Sequence, residues 1–393
     1  MVENNNIYKK LGVSSKKEDV HLAIESINKG LFPGAFCKIV KDIAGDKDYC
    51  SVFHEDGAGT KSSLAYMYYK ETGDIGAFKG IVQDAIVMNI DDVLCIGATG
   101  DLFLSNTITR NANIISGEII STIIKEYESF SKKFSEFGLN IITCGGETED
   151  IGDLVKTISI FASVFSRLKR KDVIDASNIK STDIIIGLAS SGKASYEDEF
   201  NSGIGSNGLT LARHGILSHE YYKKYPECYD QNLDENLVFF GKYKLTDLID
   251  EANLTIGKAL LSPTRTYAPV IKDILKDYRN EIHAIIHNTG GGQTKILKFG
   301  KGIKYVKNNL FSIPNIFKLI QSSSATQWKE MYSVFNMGHR IEILCDESFS
   351  SEIIKIAKKY NIDSKIIGYC EKSPIKGKNI LYLKSEVGSF TYD

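Results

Sequence analysis

Five short stretches of this sequence set carboxylates, a lysine, a histidine and glycines at spacings that could do chemistry. In His54-Glu55-Asp56-Gly57-Ala58-Gly59-Thr60-Lys61-Ser62, an acid, two glycines, a hydroxyl and an ammonium fall within six positions. Glycine permits positive φ and close backbone approach, and a turn that opens a helix offers free N–H groups to an anion. The run from Gln83 to Ala98 carries Asp84, Asp91 and Asp92. On a helix Asp84 and Asp91, seven apart, share a face, and Asp92 lies about 80° round from Asp84. Three carboxylates beside Ile81, Ala85 and Met88 are costly unless they are solvated or bound to a cation. Gly145-Gly146-Glu147-Thr148 puts a carboxylate behind two glycines at a strand end. Gly205-Ser206-Asn207-Gly208 is placed to cap the helix that begins at Leu209. His287-Asn288-Thr289-Gly290-Gly291-Gly292 is a glycine cluster of the kind that lets a backbone approach something closely.

Each stretch alone has a plain structural reading: a hairpin turn, a solvated helix face, a helix cap, a satisfied histidine. Together they supply Asp, Glu, Lys, His and glycine turns, without serine–histidine or cysteine–histidine logic. That set suits a Mg-nucleotide site, because Mg²⁺ takes one or two carboxylates plus phosphate oxygens. Neither G-x-G-x-x-G nor G-x-x-x-x-G-K-[ST] is present.

The elements that must position these groups alternate between strand and helix. Strand character ends at Phe53, helices are expected at 61–70, 78–90 and Gly117–Phe137, and residues 139–146 read as a strand ending in a glycine turn. A helix with apolar positions 20, 23, 24 and 27 is expected over 17–27, capped by Ser14 or Ser15. The β-rich run 154–168 completes the first unit and is expected to present a strand edge that would be exposed without a partner chain. The second unit restarts with a buried strand at 182–192, followed by helices at 206–216 and 265–278 and a strand over 283–292. Residues 193–205 and 224–248 read as polar insertions or long loops. The polar segment Arg170–Asn178 separates the halves, so units of 1–179 and 180–393 are expected. A chain of 393 residues is long enough for two cores.

Composition narrows the class. The chain is 42% hydrophobic and 25% charged with a net charge of −1, which gives no support for a nucleic-acid footprint or a polybasic membrane contact. No apolar run approaches the ~18 residues a membrane span needs, and the N-terminus lacks an apolar signal core. Seven scattered cysteines without a Cys-x-x-Cys pair are expected to be reduced, buried and cytoplasmic.

The order of the motifs adds a resemblance. Asp56–Lys61, Asp84–Asp92, Gly145–Thr148, Gly187–Gly192, Ser206–Gly208, Pro263–Tyr267, His287–Gly292 and Phe335–Gly338 run in the order of D-G-x-G-T-K, D-x-x-x-M-x-x-x-D, G-G-E-T, G-L-x-S-S-G, S-N-G, P-T-R-x-Y, H-x-T-G-G-G and F-N-M-G. This resembles the aminoimidazole ribonucleotide synthetase family, also called phosphoribosylformylglycinamidine cyclo-ligase. The resemblance implies an α/β (α+β) fold of two synthetase-like domains. The first lends strands to a barrel completed in a homodimer, and the second is a mixed sheet with helices. It implies ATP-dependent cyclisation of formylglycinamidine ribonucleotide in purine biosynthesis, with another synthetase of the same fold or a non-catalytic nucleotide-binding homologue as the alternatives. By the same carry-over, Asp56, Asp92 and Glu147 would gather around Mg²⁺. Asp56, Gly57, Gly59, Thr60, Lys61, Asp92, Gly145, Gly146, Glu147, Asn207 and Arg265 would hold ATP. His287 would move protons near the closing ring, with Asp92, Glu147 and Lys61 completing the catalytic set.

Three departures stand out, the first being the glycine-rich stretch that normally follows the first helix, here reduced to Gly30-Leu31-Phe32-Pro33-Gly34-Ala35. Gly205 occupies the place where the family usually has a histidine before Ser-Asn-Gly. Gly338-His339-Arg340-Ile341 stands where the family continues Gly-x-Gly-Met. A role for the missing histidine would have to come from elsewhere, with His214 and His339 as the candidates by proximity.

Overall fold

A computed structural model describes residues 6–14, 18–250 and 252–393. The helix expected at 17–27 is described over Glu18–Ile24, and its expected cap Ser15 lies outside the described residues.

The first half builds an open five-stranded sheet from β1 (Ile39–Lys41), β2 (Tyr49–Gly57), β3 (Leu102–Arg110), β4 (Ile141–Asp150) and β5 (Ile158–Lys169), in the order β1-β2-β5-β3-β4. β3 and β4 are parallel and joined through the helix Gly117–Ser135, while the other neighbours are antiparallel. That crossover is the kind of connection parallel strands require. Its helix is amphipathic: Ile119, Ile123, Tyr127, Phe130 and Phe134 form one buried stripe, and Ser116 caps the start by accepting from the Ile119 N–H. Two sequence expectations change here. The run 154–168 forms the central strand β5, not an open edge, because β2 and β3 flank it. β4 also does not stop at its glycines. Cys144 and Gly145 oppose Ser105 alone, so Gly145, at φ +82°, makes a bulge and the strand runs on to Asp150.

The second half builds a seven-stranded mixed sheet from β6 (Ile184–Ala189), β7 (Ile282–His287), β8 (Ile303–Lys307), β9 (His339–Cys345), β10 (Ser364–Lys372), β11 (Ile380–Ser385) and β12 (Gly388–Tyr392), in the order β12-β11-β8-β10-β6-β9-β7. β6 and β9 are buried along their whole length, as expected of strands covered on both faces. The change of sheet falls between Lys169 and Ile184, the segment that holds the expected boundary at 179.

The helix Ala77–Leu94 sits between the halves. It packs on β2 and β5 on one side and on the helices Ile256–Leu261 and Ala268–Tyr278 on the other. Being apolar nearly all round, it reads as an interior helix. Its three carboxylates are therefore buried, which removes the solvated-face reading and makes their partners the key to the site.

Candidate active site

Each buried carboxylate of the central helix is met from the second half. Asp84 accepts from the Thr264 N–H at 2.7 Å, from the Thr264 hydroxyl at 2.6 Å and from Lys61 Nζ at 3.0 Å. One helical repeat further on, Asp91 accepts from the Thr266 hydroxyl at 2.6 Å and the Tyr267 N–H at 2.9 Å. The shared face of Asp84 and Asp91 thus grips the Pro263–Tyr267 segment by its backbone and hydroxyls. Burial pushes the Asp91 carboxyl up to about 7, against those two hydrogen bonds.

Asp92 faces two imidazoles. Oδ1 lies 2.6 Å from Nδ1 of His287, at the end of β7, and Oδ2 lies 3.4 Å from Nε2 of His54 on β2. His54 Nδ1 also faces Asn89 Oδ1 at 2.9 Å. Both His54 nitrogens therefore point at acceptors. Burial disfavours its cation, yet Asp92 and Asn89 raise its pKa overall. Burial would likewise raise Asp92, but the hydrogen bonds from His287 and His54 hold it below the usual carboxylate range. The second nitrogen of His287, Nε2, lies 2.7 Å from Nη2 of Arg340. His287 is fully buried, and burial together with the charge of Arg340 lowers its pKa to about 4.

The remaining motifs hold this junction closed. Lys61 donates to Gly205 O at 3.2 Å and Ser262 O at 2.6 Å besides Asp84. Ser206 Oγ meets Thr264 Oγ1 at 2.7 Å. Asn336 donates to Gly203 O and accepts from Ser190 Oγ, each at 2.8 Å, so the Phe335–Gly338 turn ties the 203–205 loop to the end of β6. Seven of the eight motif stretches meet around the central helix.

Gly145–Thr148 stands apart. In the ladder Asp56 faces Ala162, Ala162 faces Asn106 and Asn106 faces Gly146, so Asp56 and Glu147 are three strands apart, about 14 Å. Alternation also puts them on opposite faces, since Glu147 shares the row of Thr107 and the exposed Phe161. Asp56, Asp92 and Glu147 therefore do not fit one Mg²⁺ ion within a single chain. Among the described residues no group of three or more His, Cys, Asp or Glu could hold a metal.

Other expected ligand contacts are also occupied within the protein. All three Lys61 donors are used inside the junction, which takes the ammonium away from the turn surface. Arg265 makes a bidentate pair with Glu197 at 2.6 and 2.9 Å and donates to Ala189 O and Ser191 O. It thereby anchors the 193–205 insertion instead of facing a cleft. Gly59 and Thr60 do remain exposed at the start of the helix Lys61–Thr72, and Asn207 is half-buried before the helix Leu209–Ile216. His287 has both nitrogens engaged, so no lone pair is open for a proton while Arg340 donates to Nε2.

Neither histidine considered for the missing one reaches the junction. His214 packs on Phe239 with the rings tilted by 38° and accepts from the Phe239 N–H, and burial drives its pKa down to about 2. His339 is buried against Glu342 at 2.9 Å, beneath the glycine loop, where Lys307 also pairs with Glu342 at 2.5 Å. His54, Asn89, Thr264, Thr266 and Arg340 belong to the junction but were not singled out as site residues from the sequence. His54 was visible in the first stretch and the threonines in Pro-Thr-Arg-Thr-Tyr. Arg340 showed only as a departure from a pattern.

Residues 36–166 match the family model for AIR synthase related protein, N-terminal domain. A phosphoribosylformylglycinamidine cyclo-ligase of Methanocaldococcus jannaschii is 32% identical over 323 residues, 82% of this chain and 78% of that protein. The fold is similar to that in the crystal structure of a HypE–HypF complex, with a TM-score of 0.54 and 14% identity across 96% of this chain and 99% of that one. It is also similar to AaThiL complexed with AMPPCP and TMP, with a TM-score of 0.51 and 12% identity across 96% of this chain and 95% of that one. On its identity to the Methanocaldococcus enzyme, the chain belongs to the phosphoribosylformylglycinamidine cyclo-ligase family and is an enzyme of the ligase class.

Proposed function

We propose that this protein closes the imidazole ring of 5-aminoimidazole ribonucleotide from formylglycinamidine ribonucleotide and ATP. The formamide oxygen attacks the γ-phosphorus and releases ADP. An amidine nitrogen then attacks the formyl carbon, the C–O bond breaks, and phosphate leaves with that oxygen while a proton is lost. An amide oxygen is a poor leaving group and a phosphate is a good one. The protein's part is positioning and charge stabilisation. The observation that carries this reading is the identity to a cyclo-ligase across most of both chains.

Within this reading the nucleotide phosphates lie at the turn Gly57–Thr60, whose Gly59 and Thr60 are exposed, at the N-terminus of a 12-residue helix, with Asn207 nearby across the Thr60–Thr210 contact. The complex of AaThiL with AMPPCP supports nucleotide use by this fold. Among the described residues three carboxylates of one chain do not converge to cage Mg²⁺, so the nucleotide phosphates would supply most of its ligands. His287 serves as a neutral imidazole that links Asp92 to Arg340. The units are 1–179 and 180–393, and the enzyme is a cytoplasmic homodimer that joins through the outer face of the first sheet. Phe53, Phe165 and Phe103 form one lateral row on that face, with Phe53 65% and Phe103 39% exposed. Such an apolar patch favours a partner surface. Glu147 lies on the same face and acts at that interface. The purified protein with formylglycinamidine ribonucleotide, ATP and Mg²⁺ is expected to yield 5-aminoimidazole ribonucleotide and one ADP per ring closed. ATP consumption without that product would refute the substrate assignment.

A further inference from the structure

Position 205 has no side chain and its backbone is held at φ +68°. A Cβ placed there would lie 3.5 Å from Cζ, Nε and Nη1 of Arg340. Two of the departures from the family pattern, far apart in sequence, are thus in contact: a side chain is missing on one side and a long one enters from the other. Arg340 comes from the fully buried strand β9 and is itself only 2% exposed.

Space filling does not account for a guanidinium at this place. Among the described residues no carboxylate lies within ion-pair distance of it, and its buried Nη1 has no hydrogen-bond partner. Asp84, Asp91 and Asp92 of the central helix, the Tyr267 phenol and the Lys61 ammonium face it at longer range. Burying a cation without a contact partner costs several kcal/mol, a penalty that a methionine in the same volume would not incur. What the guanidinium does make is the 2.7 Å bond from Nη2 to His287 Nε2, with Met88 Sδ 3.6 Å from the same nitrogen. Arginine only donates. Nε2 must then be the acceptor, and the proton of the neutral imidazole lies on Nδ1, directed at Asp92 Oδ1.

We propose that Arg340 is a positioning residue for ring closure, its guanidinium packing against side-chain-less Gly205 and locking His287 as the Nδ1–H tautomer in line with Asp92. Its catalytic consequence rests on the cyclo-ligase reading, but the tautomer does not. Selective ¹⁵N labelling of histidine, with the full-length protein free of ligands, reads the two ring nitrogens directly. The expected spectrum has Nδ1 of His287 protonated and Nε2 bare, with that preference lost in Arg340→Met. A protonated Nε2 in the wild-type protein overturns the proposal, and so does an unchanged tautomer in a folded Arg340→Met variant. In turnover, Arg340→Met is expected to lower kcat about 100-fold, as small misplacements do, with KM for ATP and the thermal midpoint little changed. Arg340→Lys, which keeps a donor, is expected to recover part of the loss. Wild-type kcat in Arg340→Met overturns the positioning role. If Arg340→Met does not fold, the wild-type tautomer decides alone. Absence of any ring closure by the wild-type enzyme would instead refute the cyclo-ligase reading.

Discussion

Asp92 and His287 meet at 2.6 Å, Oδ1 to Nδ1, although one lies on a helix of the first half and the other ends a strand of the second. The contact is buried and sits at the centre of the converging motifs. Loss of the imidazole therefore removes one of the links between the two halves at the site, the one made by Asp92. His287→Ala is expected to lower kcat by about 100-fold or more with little change in ATP affinity. His287→Asn, whose amide can both donate and accept, is expected to retain clearly more activity than the alanine variant. Equal losses in the two would mean that His287 itself carries the proton.

Lys61 and Asp84 form an ion pair with neither side chain exposed. Burial lowers the lysine's pKa, the nearby Asp84 opposing that shift. Removing one member of such a pair strands the other, which typically costs about 3–5 kcal/mol. Lys61→Met should lower the unfolding free energy measured by urea titration by that order, with the midpoint falling accordingly, and its effect on kcat should follow from loss of folded protein. An unchanged midpoint with lost turnover would return Lys61 to a direct role on phosphate.

The aromatic row of β2, β5 and β3 makes the homodimer testable. Sedimentation at micromolar concentration is expected to show twice the single-chain mass. Phe53→Asp with Phe103→Asp should reduce it to the single-chain mass without unfolding. A wild-type protein that sediments only as single chains would contradict the interface.

Acid should act through the buried cluster beneath the glycine loop. Burial alone would raise Glu342, but Lys307 and His339 outweigh it and hold its carboxyl down to about 2. A carboxylate depressed in the folded state contributes stability that is complete above its unfolded pKa, near 4.5, and is lost as pH falls through about 2. Stability should fall across that window, and Glu342→Gln should flatten the slope there while lowering stability at pH 7. An acid limb identical in the variant would show that other carboxylates dominate.

Much of this is legible in the amino-acid sequence. Helix periodicity placed 61–70, 78–90 and 117–137 close to the observed helices, because burial of one stripe or of a whole helix leaves a strong pattern. β3 and all five strands after residue 300 have no counterpart in the sequence expectations, since short buried strands flanked by loops carry little periodicity. The spacing of Asp84 and Asp91 gave their common face but not its occupant. A buried carboxylate signals a partner without saying whether that partner is a metal or the hydroxyls of Thr264 and Thr266. Asp56 and Glu147 looked equivalent as strand-end acids, and only the strand order and the Gly145 bulge separate them onto opposite faces. Arg340 was hidden because its contact with Gly205 is a property of two distant segments.

The central claim is that the formamide oxygen is phosphorylated before the ring closes, and isotope transfer tests it most directly. Formylglycinamidine ribonucleotide labelled with ¹⁸O at the formyl oxygen is turned over with unlabelled ATP, and the inorganic phosphate is analysed by mass. The expected result is one ¹⁸O in the phosphate for each 5-aminoimidazole ribonucleotide formed. Unlabelled phosphate, with the ¹⁸O released to water, would contradict the account.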